Sequence, residues 1–325
     1  MFDSLSVLPT LTKRGLLWLR ESQDSVTHIH EQFVPATLMD LLRVTRPLSN
    51  IKNLAIVVLA YYLASPDRGL AAMVVPTLAL SLVCSAMYTF NSLLDVRLDR
   101  RNATKRVYAD AVIRVGMDNA FWIACGLAAS GLVLGSRVNG RFLASLLGLL
   151  VTALLYSTPP FRFKERSVLD VVFGAALTFP LRFVGSWYAF SATVVPPLLP
   201  LLGLLLGKSG AYVLYKELDR DDLTAAGIRN TTTMNPKPWN AWIAVTLIAL
   251  SIAAFLAMVA TSDLGLSFLG SIPRRALILL PLSIPPLLFM FLQATKMTAF
   301  DNRLLRALGL LYALGATIVA WRLLA

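Results

Sequence analysis

Between Ser85 and Arg106 the chain reads S-A-M-Y-T-F-N-S-L-L-D-V-R-L-D-R-R-N-A-T-K-R. Asn91, Asp95 and Asp99 recur every fourth residue, so on a helix they share one face. That face offers one amide and two carboxylates, all oxygen ligands. Two carboxylates four apart on a helix repel each other unless a cation lies between them. Arg97, Arg100, Arg101, Lys105 and Arg106 stand among and after them. Oxygen ligands suit a hard divalent cation such as Mg2+, and clustered bases suit phosphate. The stretch therefore reads as a site for a metal-bound diphosphate. An ordinary solvated loop would explain the arginines but not the evenly spaced acids.

A second acidic cluster lies in Y-V-L-Y-K-E-L-D-R-D-D-L-T-A-A-G-I-R-N-T, from Tyr212 to Thr231. Its candidate ligands are Glu217, Asp219, Asp221 and Asp222. Two arrangements are open. A continuous helix, which we favour, would turn Glu217 and Asp221 toward one metal and Asp219 away. A break before Asp219 would instead turn Asp219 and Asp222 inward. With either arrangement, two carboxylate walls would face each other across a cavity. Mg2+ between them would neutralise the charge that develops on a departing diphosphate. One of the second-cluster acids would serve as general base.

Further polar residues would line such a cavity. Arg46, Asn50, Lys52 and Asn53 open one apolar segment, and Tyr156, Ser157, Arg162 and Lys164 close another. Arg182 lies well inside a third. An arginine at membrane depth is costly and marks function by default. Asp170, twelve residues earlier on the same helix, stands about 120° round and is poorly placed to pair with it.

These groups must be positioned by apolar helices. The chain has 325 residues, 57% hydrophobic and 15% charged, whereas soluble domains carry about 25% charged residues. The segment from Leu70 to Phe90 would span about 31 Å as a helix, the thickness of a hydrocarbon core. We expect an all-α, polytopic membrane protein with about nine transmembrane helices around a central cavity. The spans fall near 47–64, 70–91, 119–135, 142–157, 168–190, 193–215, 239–261, 275–293 and 304–324. Residues 1–44 form a cytoplasmic or interfacial N-terminal segment, with no signal-peptide core, and 45–325 form the transmembrane domain. Leu11, Leu16, Leu17, Trp18 and Leu19 among basic residues would suit an interfacial helix.

Charge sets the orientation. Lys and Arg crowd the loops on the N-terminal side. The opposite side holds only Arg68, Arg137, Arg141, Arg274, Arg275 and Arg322. This places the N-terminus in the cytoplasm and the C-terminus across the membrane. The net charge of +12 thus follows from membrane orientation and calls for no nucleic-acid partner. Cys84 and Cys125 lie in apolar runs, and His28 and His30 lack companions for a transition-metal site.

The residues resemble the UbiA-type intramembrane prenyltransferase superfamily. Its first motif, N-x-x-x-D-x-x-x-D, matches Asn91, Asp95 and Asp99, with Arg100, Asn102, Lys105 and Arg106 trailing. Its second, Y-x-x-x-K-D-x-x-D-x-x-G-D in one form, matches Tyr212 and Lys216, with Glu217 in place of an Asp. Asp219, Asp221 and Asp222 are displaced by about one residue, and Y-S-x-P-P-x-R-x-K at 156–164 is also similar. The resemblance implies nine transmembrane helices and a Mg2+-dependent enzyme. It would move a prenyl group from a prenyl diphosphate to an acceptor, whether lipid, aromatic or other small molecule. Asn91, Asp95, Asp99 and the second-cluster acids would hold metal. Arg46, Asn50, Lys105, Arg106, Tyr156, Lys164, Arg182 and Lys216 would bind substrate. R-P-x-x-x-x-K-N at 46–53 and L-R-x-x-G at 181–185 are similar to polyprenyl-phosphate phosphoribosyltransferases, although Val107-Tyr108-Ala109 replaces their arginine-proline stretch. An intramembrane terpene cyclase would use the same ionisation with no acceptor. An ion-coupled transporter would use the acid clusters as an ion site.

Overall fold

The computed structural model describes residues 35–64, 69–102, 105–191 and 195–263, with side chains to 261. The expected spans at 275–293 and 304–324 and the N-terminal amphipathic stretch lie outside the described residues.

The described chain is a helical bundle. Helix α1 (Leu38–Thr45) starts at a capping box. Thr37 Oγ1 accepts from the Asp40 N–H, and Asp40 Oδ2 accepts from the Thr37 N–H. These bonds satisfy donors that a helix start leaves open. Arg46 takes a left-handed conformation (φ 48°) before Pro47, which turns the chain into α2 (Ile51–Ala64). Next come α3 (Val74–Leu94), α4 (Val96–Arg101), α5 (Arg106–Val115), α6 (Met117–Ser136) and α7 (Gly140–Ser157). Then follow α8 (Leu169–Phe190), α9 (Leu198–Glu217), α10 (Arg220–Ala225), α11 (Thr231–Met234) and α12 (Lys237–Asp263). Pro76 falls in the first turn of α3, where no intrahelical donor is lost. Among the described residues seven helices are long and apolar enough to cross a membrane.

Among the described residues the two largest apolar clusters hold the bundle. The larger joins α2, α3, α7 and α8 through Val57, Leu80, Val83, Phe142, Leu146, Leu149 and Phe183. The smaller, Val44, Leu93, Val96, Ala109 and Val112, fixes α1, α4 and α5 at the end of the bundle that bears the acids. Arg114 Nη2 donates to Asp40 Oδ1 at 2.6 Å across that end. Residues 38–44, within the segment that the sequence reads as cytoplasmic or interfacial, pack onto that end of the bundle through Val44 and Asp40. On the other side α9 and α12 lie close together. A Cβ on Gly210 would sit 2.8 Å from the Ala244 carbonyl oxygen, so only glycine permits this approach.

Candidate active site

The first wall of the site forms where α3 ends. Asp95 leaves helical geometry (φ −106°, ψ 7°), and α4 begins at once. The Asp95 N–H still bonds the Asn91 carbonyl at 3.0 Å, and the Asp99 N–H the Asp95 carbonyl at 2.8 Å. The four-residue spacing thus survives the junction, and both carboxylates are buried. The loop after α7 closes over them. Ser157 Oγ donates to Asn91 Oδ1 at 2.8 Å, Lys164 Nζ donates to Asp95 Oδ1, and Arg162 Nη2 stands 3.6 Å from the same oxygen. Burial opposes charge on Asp95, but Lys164 and Arg162 hold its carboxyl below the usual carboxylate range. Asp99 has no ion pair among the described residues. Burial and the charge of Asp95 push it up to about 6.

The second wall departs from the continuous helix expected. Helix α9 ends at Glu217, Asp219 leaves helical geometry (φ −100°, ψ 2°), and α10 starts at Arg220. The break turns Asp219 toward the first wall. Lys105 Nζ donates to Asp219 Oδ2 at 2.5 Å, and Asn102 Nδ2 reaches Asp219 Oδ1 at 3.0 Å and Asp222 Oδ2 at 2.7 Å. Burial raises Asp219, but Lys105 and Lys216 outweigh it and keep the carboxyl below its ordinary value. Asp222 shifts upward through burial and the charge of Asp219. Glu217 faces elsewhere. It accepts from Arg220 Nε and Nη2, each at 2.7 Å, and from Asn240 Nδ2. Asp221 is exposed. Glu217 and Asp221 therefore do not converge on one metal, because the chain bends one residue after Glu217.

The expected lining residues divide. Tyr156 and Tyr212 share a 2.8 Å hydroxyl hydrogen bond, and Lys216 lies over the Tyr212 ring at 5.6 Å. A π-helical turn in α8, Val172–Ala176, packs Gly174 against both tyrosines. A Cβ there would meet Tyr212 Cε2 at 2.8 Å. Arg46 stacks on Tyr108 at 4.0 Å and donates to Ser92 Oγ at 2.8 Å. Arg106 is turned out, its side chain 65% exposed and 3.6 Å from Asp110. It pairs with Asp110 rather than with either acid cluster, contrary to its expected role on phosphate. Asn50 and Arg182 belong to a separate buried network, in which Asn50 Nδ2 donates to Ser85 Oγ at 2.7 Å and Arg182 Nη1 to Asn53 Oδ1 at 3.2 Å. Asp170 bonds Thr231 Oγ1 at 2.5 Å rather than Arg182. Asn102, which the sequence places in the first motif without giving it a ligand role, bridges the two clusters through Asp219 and Asp222.

The residues present fit Mg2+. Among the described residues no three of His, Cys, Asp and Glu converge tightly enough to cage a metal by themselves. Mg2+ commonly takes one or two carboxylates and fills its remaining positions with substrate phosphate and water. Asp99, buried beside a second carboxylate and in no ion pair among the described residues, would gain most from a bound cation. Lys105 and Lys164 already balance the acids on either side.

Known proteins agree with this architecture. A UbiA homolog from Archaeoglobus fulgidus bound to GPP and Mg2+ superposes with a TM-score of 0.67, covering 88% of this chain and 99% of that one. At 19% identity it shows the shared fold. A lycopene elongase/hydratase of Haloferax volcanii is 29% identical over 177 residues, 53% of this chain and 56% of that protein. An uncharacterised protein of Sinorhizobium fredii, y4nM, is 36% identical over 107 residues, 33% of this chain and only 20% of that protein's length. The match to these two curated relatives thus covers little more than half of one and a fifth of the other. The apolar helices and this fold make the chain an integral, multi-pass membrane protein. A family model matches residues 53–304, and the chain belongs to the UbiA prenyltransferase family.

Proposed function

We propose that this chain is a Mg2+-dependent intramembrane prenyltransferase that ionises a prenyl diphosphate between its two acid walls. One observation carries the reading. Two acidic motifs more than a hundred residues apart meet at one end of an apolar bundle, joined by Asn102 and Lys105. Asp95, Asp99, Asp219 and Asp222, with Asn91, would hold the metal. Bound Mg2+ supplies Lewis-acid stabilisation of the leaving diphosphate. Lys105, Lys164, Lys216 and Arg162 surround the same space and would bind phosphate oxygens. The helices behind them bury the prenyl tail and keep water from the allylic cation. A second-wall carboxylate takes the acceptor's proton. The A. fulgidus homolog bound to GPP and Mg2+ has the same fold and supports this reading.

The test is product analysis. Purified full-length protein is incubated with Mg2+ and a panel of prenyl diphosphates, with and without candidate acceptors, and product masses are read. Prenylated acceptor is the expected product. A cyclised hydrocarbon formed without acceptor would mark a terpene cyclase. Turnover only with phosphoribosyl diphosphate and a lipid phosphate would mark a phosphoribosyltransferase. No turnover of any substrate would overturn the enzymatic reading.

A further inference from the structure

Thr231 opens α11, just after the second acidic motif, and its side chain holds the end of the loop that follows α7. Its Oγ1 donates to Asp170 Oδ1 at 2.5 Å and accepts from the Val168 N–H at 2.8 Å. Its own N–H reaches the same Asp170 oxygen at 3.3 Å. Arg166 and Arg229 add a parallel backbone bridge between the two segments. Asp170 is fully buried, and it makes no ion pair among the described residues. A buried carboxylate is costly unless hydrogen bonds satisfy it, and Thr231 offers it two donors.

The loop so held is unusual. Val168 stands at φ 69°, ψ −48°, and Arg162 at φ 41°. The loop from 158 to 168 holds no glycine that would take a positive φ freely. A β-branched residue keeps such a backbone only where its surroundings impose it. The N–H groups at a helix start lack intrahelical acceptors, and Thr231 supplies one for Val168 as α8 begins. The same loop carries Lys164, whose Nζ donates to Asp95 Oδ1, and Arg162, whose Nη2 stands 3.6 Å from that oxygen. Two cations of the first wall therefore ride on a loop that is fastened to the segment following the second.

We propose that Asp170 and Thr231 are positioning residues for the diphosphate. They latch the basic loop so that Lys164 and Arg162 face Asp95 and the phosphate oxygens beside it. The prenyl-diphosphate reading supplies the identity of the ligand, and both residues act through the loop.

The test is binding of geranyl diphosphate with Mg2+ to purified full-length protein in detergent. Thr231→Val keeps the shape of the side chain and removes the hydroxyl. It should weaken binding about tenfold, because the Val168 N–H and the Asp170 carboxylate lose their partner. Asp170→Ala should act in the same direction, and Thr231→Ser should bind as the wild type does. Combined with Lys164→Met, Thr231→Val should add less than its own single loss, because the group it positions is already gone. Combined with Lys105→Met, on another segment, the two losses should multiply. A bond that only stabilised the fold would lower the melting temperature and give multiplying losses in both combinations. That result, or wild-type affinity in Thr231→Val, would overturn the proposal. Hydrogen exchange without ligand tests the latch apart from the reaction. Amides in 161–168 should exchange faster in Thr231→Val and at the wild-type rate in Thr231→Ser. Unchanged exchange in Thr231→Val would overturn the latch. Failure of the wild type to bind geranyl diphosphate would instead overturn the prenyl-diphosphate reading, with the exchange result still deciding the latch.

Discussion

Lys105 Nζ lies 2.5 Å from Asp219 Oδ2, although the two residues are 114 positions apart. The contact ties the tail of the first motif to the bend of the second. Groups that act as a unit have non-additive effects. Lys105→Met and Asp219→Asn should each lower kcat/KM. The double variant should lose less than the sum of the two, by about 0.5–3 kcal/mol of activation free energy. Strict additivity in a double-mutant cycle would show that the pair does not work together.

The bend at Leu218 separates two roles that neighbouring acids would otherwise share. Asp219→Asn should raise the Mg2+ concentration needed for half-maximal turnover. Glu217→Gln should leave that requirement unchanged and lower stability instead. Glu217 is buried against Arg220 and Asn240, and removing one partner of a buried ion pair costs about 3–5 kcal/mol. Thermal unfolding in detergent and a Mg2+ titration of activity check both halves. A raised Mg2+ requirement in Glu217→Gln, with normal stability, would contradict this division.

Gly174 supports the tyrosine pair from below. A Cβ in its place would stand 2.8 Å from Tyr212 Cε2 and 3.0 Å from Tyr156 Cε2. Overpacking of this kind costs about 1–3 kcal/mol. Gly174→Ala should therefore lower the melting temperature and disturb Lys216, which rests on Tyr212. An unchanged melting temperature and Mg2+ dependence would show that the close approach is dispensable.

Much of this arrangement is legible in the sequence. The apolar segments give the helices, and the even spacing of Asn91, Asp95 and Asp99 gives the first wall, because a helix converts spacing into a face. The second wall is not legible in the same way. Nothing in Lys216-Glu217-Leu218-Asp219 marks the end of α9: it holds no glycine or proline, and its acids alternate with bases that would pair equally well on a continuous helix. What fixes the bend is tertiary. Asn240, on α12, takes Glu217 to one side, while Asn102 and Lys105 take Asp219 to the other. Arg106 departs from its expected place for a related reason. Its pairing with Asp110, one turn along α5, depends on which face of that short helix is buried. The hold of Thr231 on Val168 and Asp170 joins two segments whose packing no local pattern specifies.

The charge asymmetry predicts that the acid-bearing end faces the cytoplasm. Arg101 and Ala225 are exposed at that end, and Arg137 is exposed at the other. In a background without Cys84 and Cys125, single cysteines at 101 and 225 should resist a membrane-impermeant thiol reagent applied from outside intact cells. A cysteine at 137 should react. The reverse pattern would invert the topology.

The most direct measurement is release of diphosphate from geranyl diphosphate by the purified protein, with acceptor present, as Mg2+ is added after EDTA treatment. Wild-type protein should release diphosphate only with Mg2+. Asp95→Asn and Asp99→Asn should each reduce the rate by about 100-fold or more, because the stabilisation they remove exists mainly in the transition state. Both variants should remain folded and inserted. Metal-independent release, or near wild-type rates in both variants at limiting Mg2+, would contradict a diphosphate site between the two acid walls.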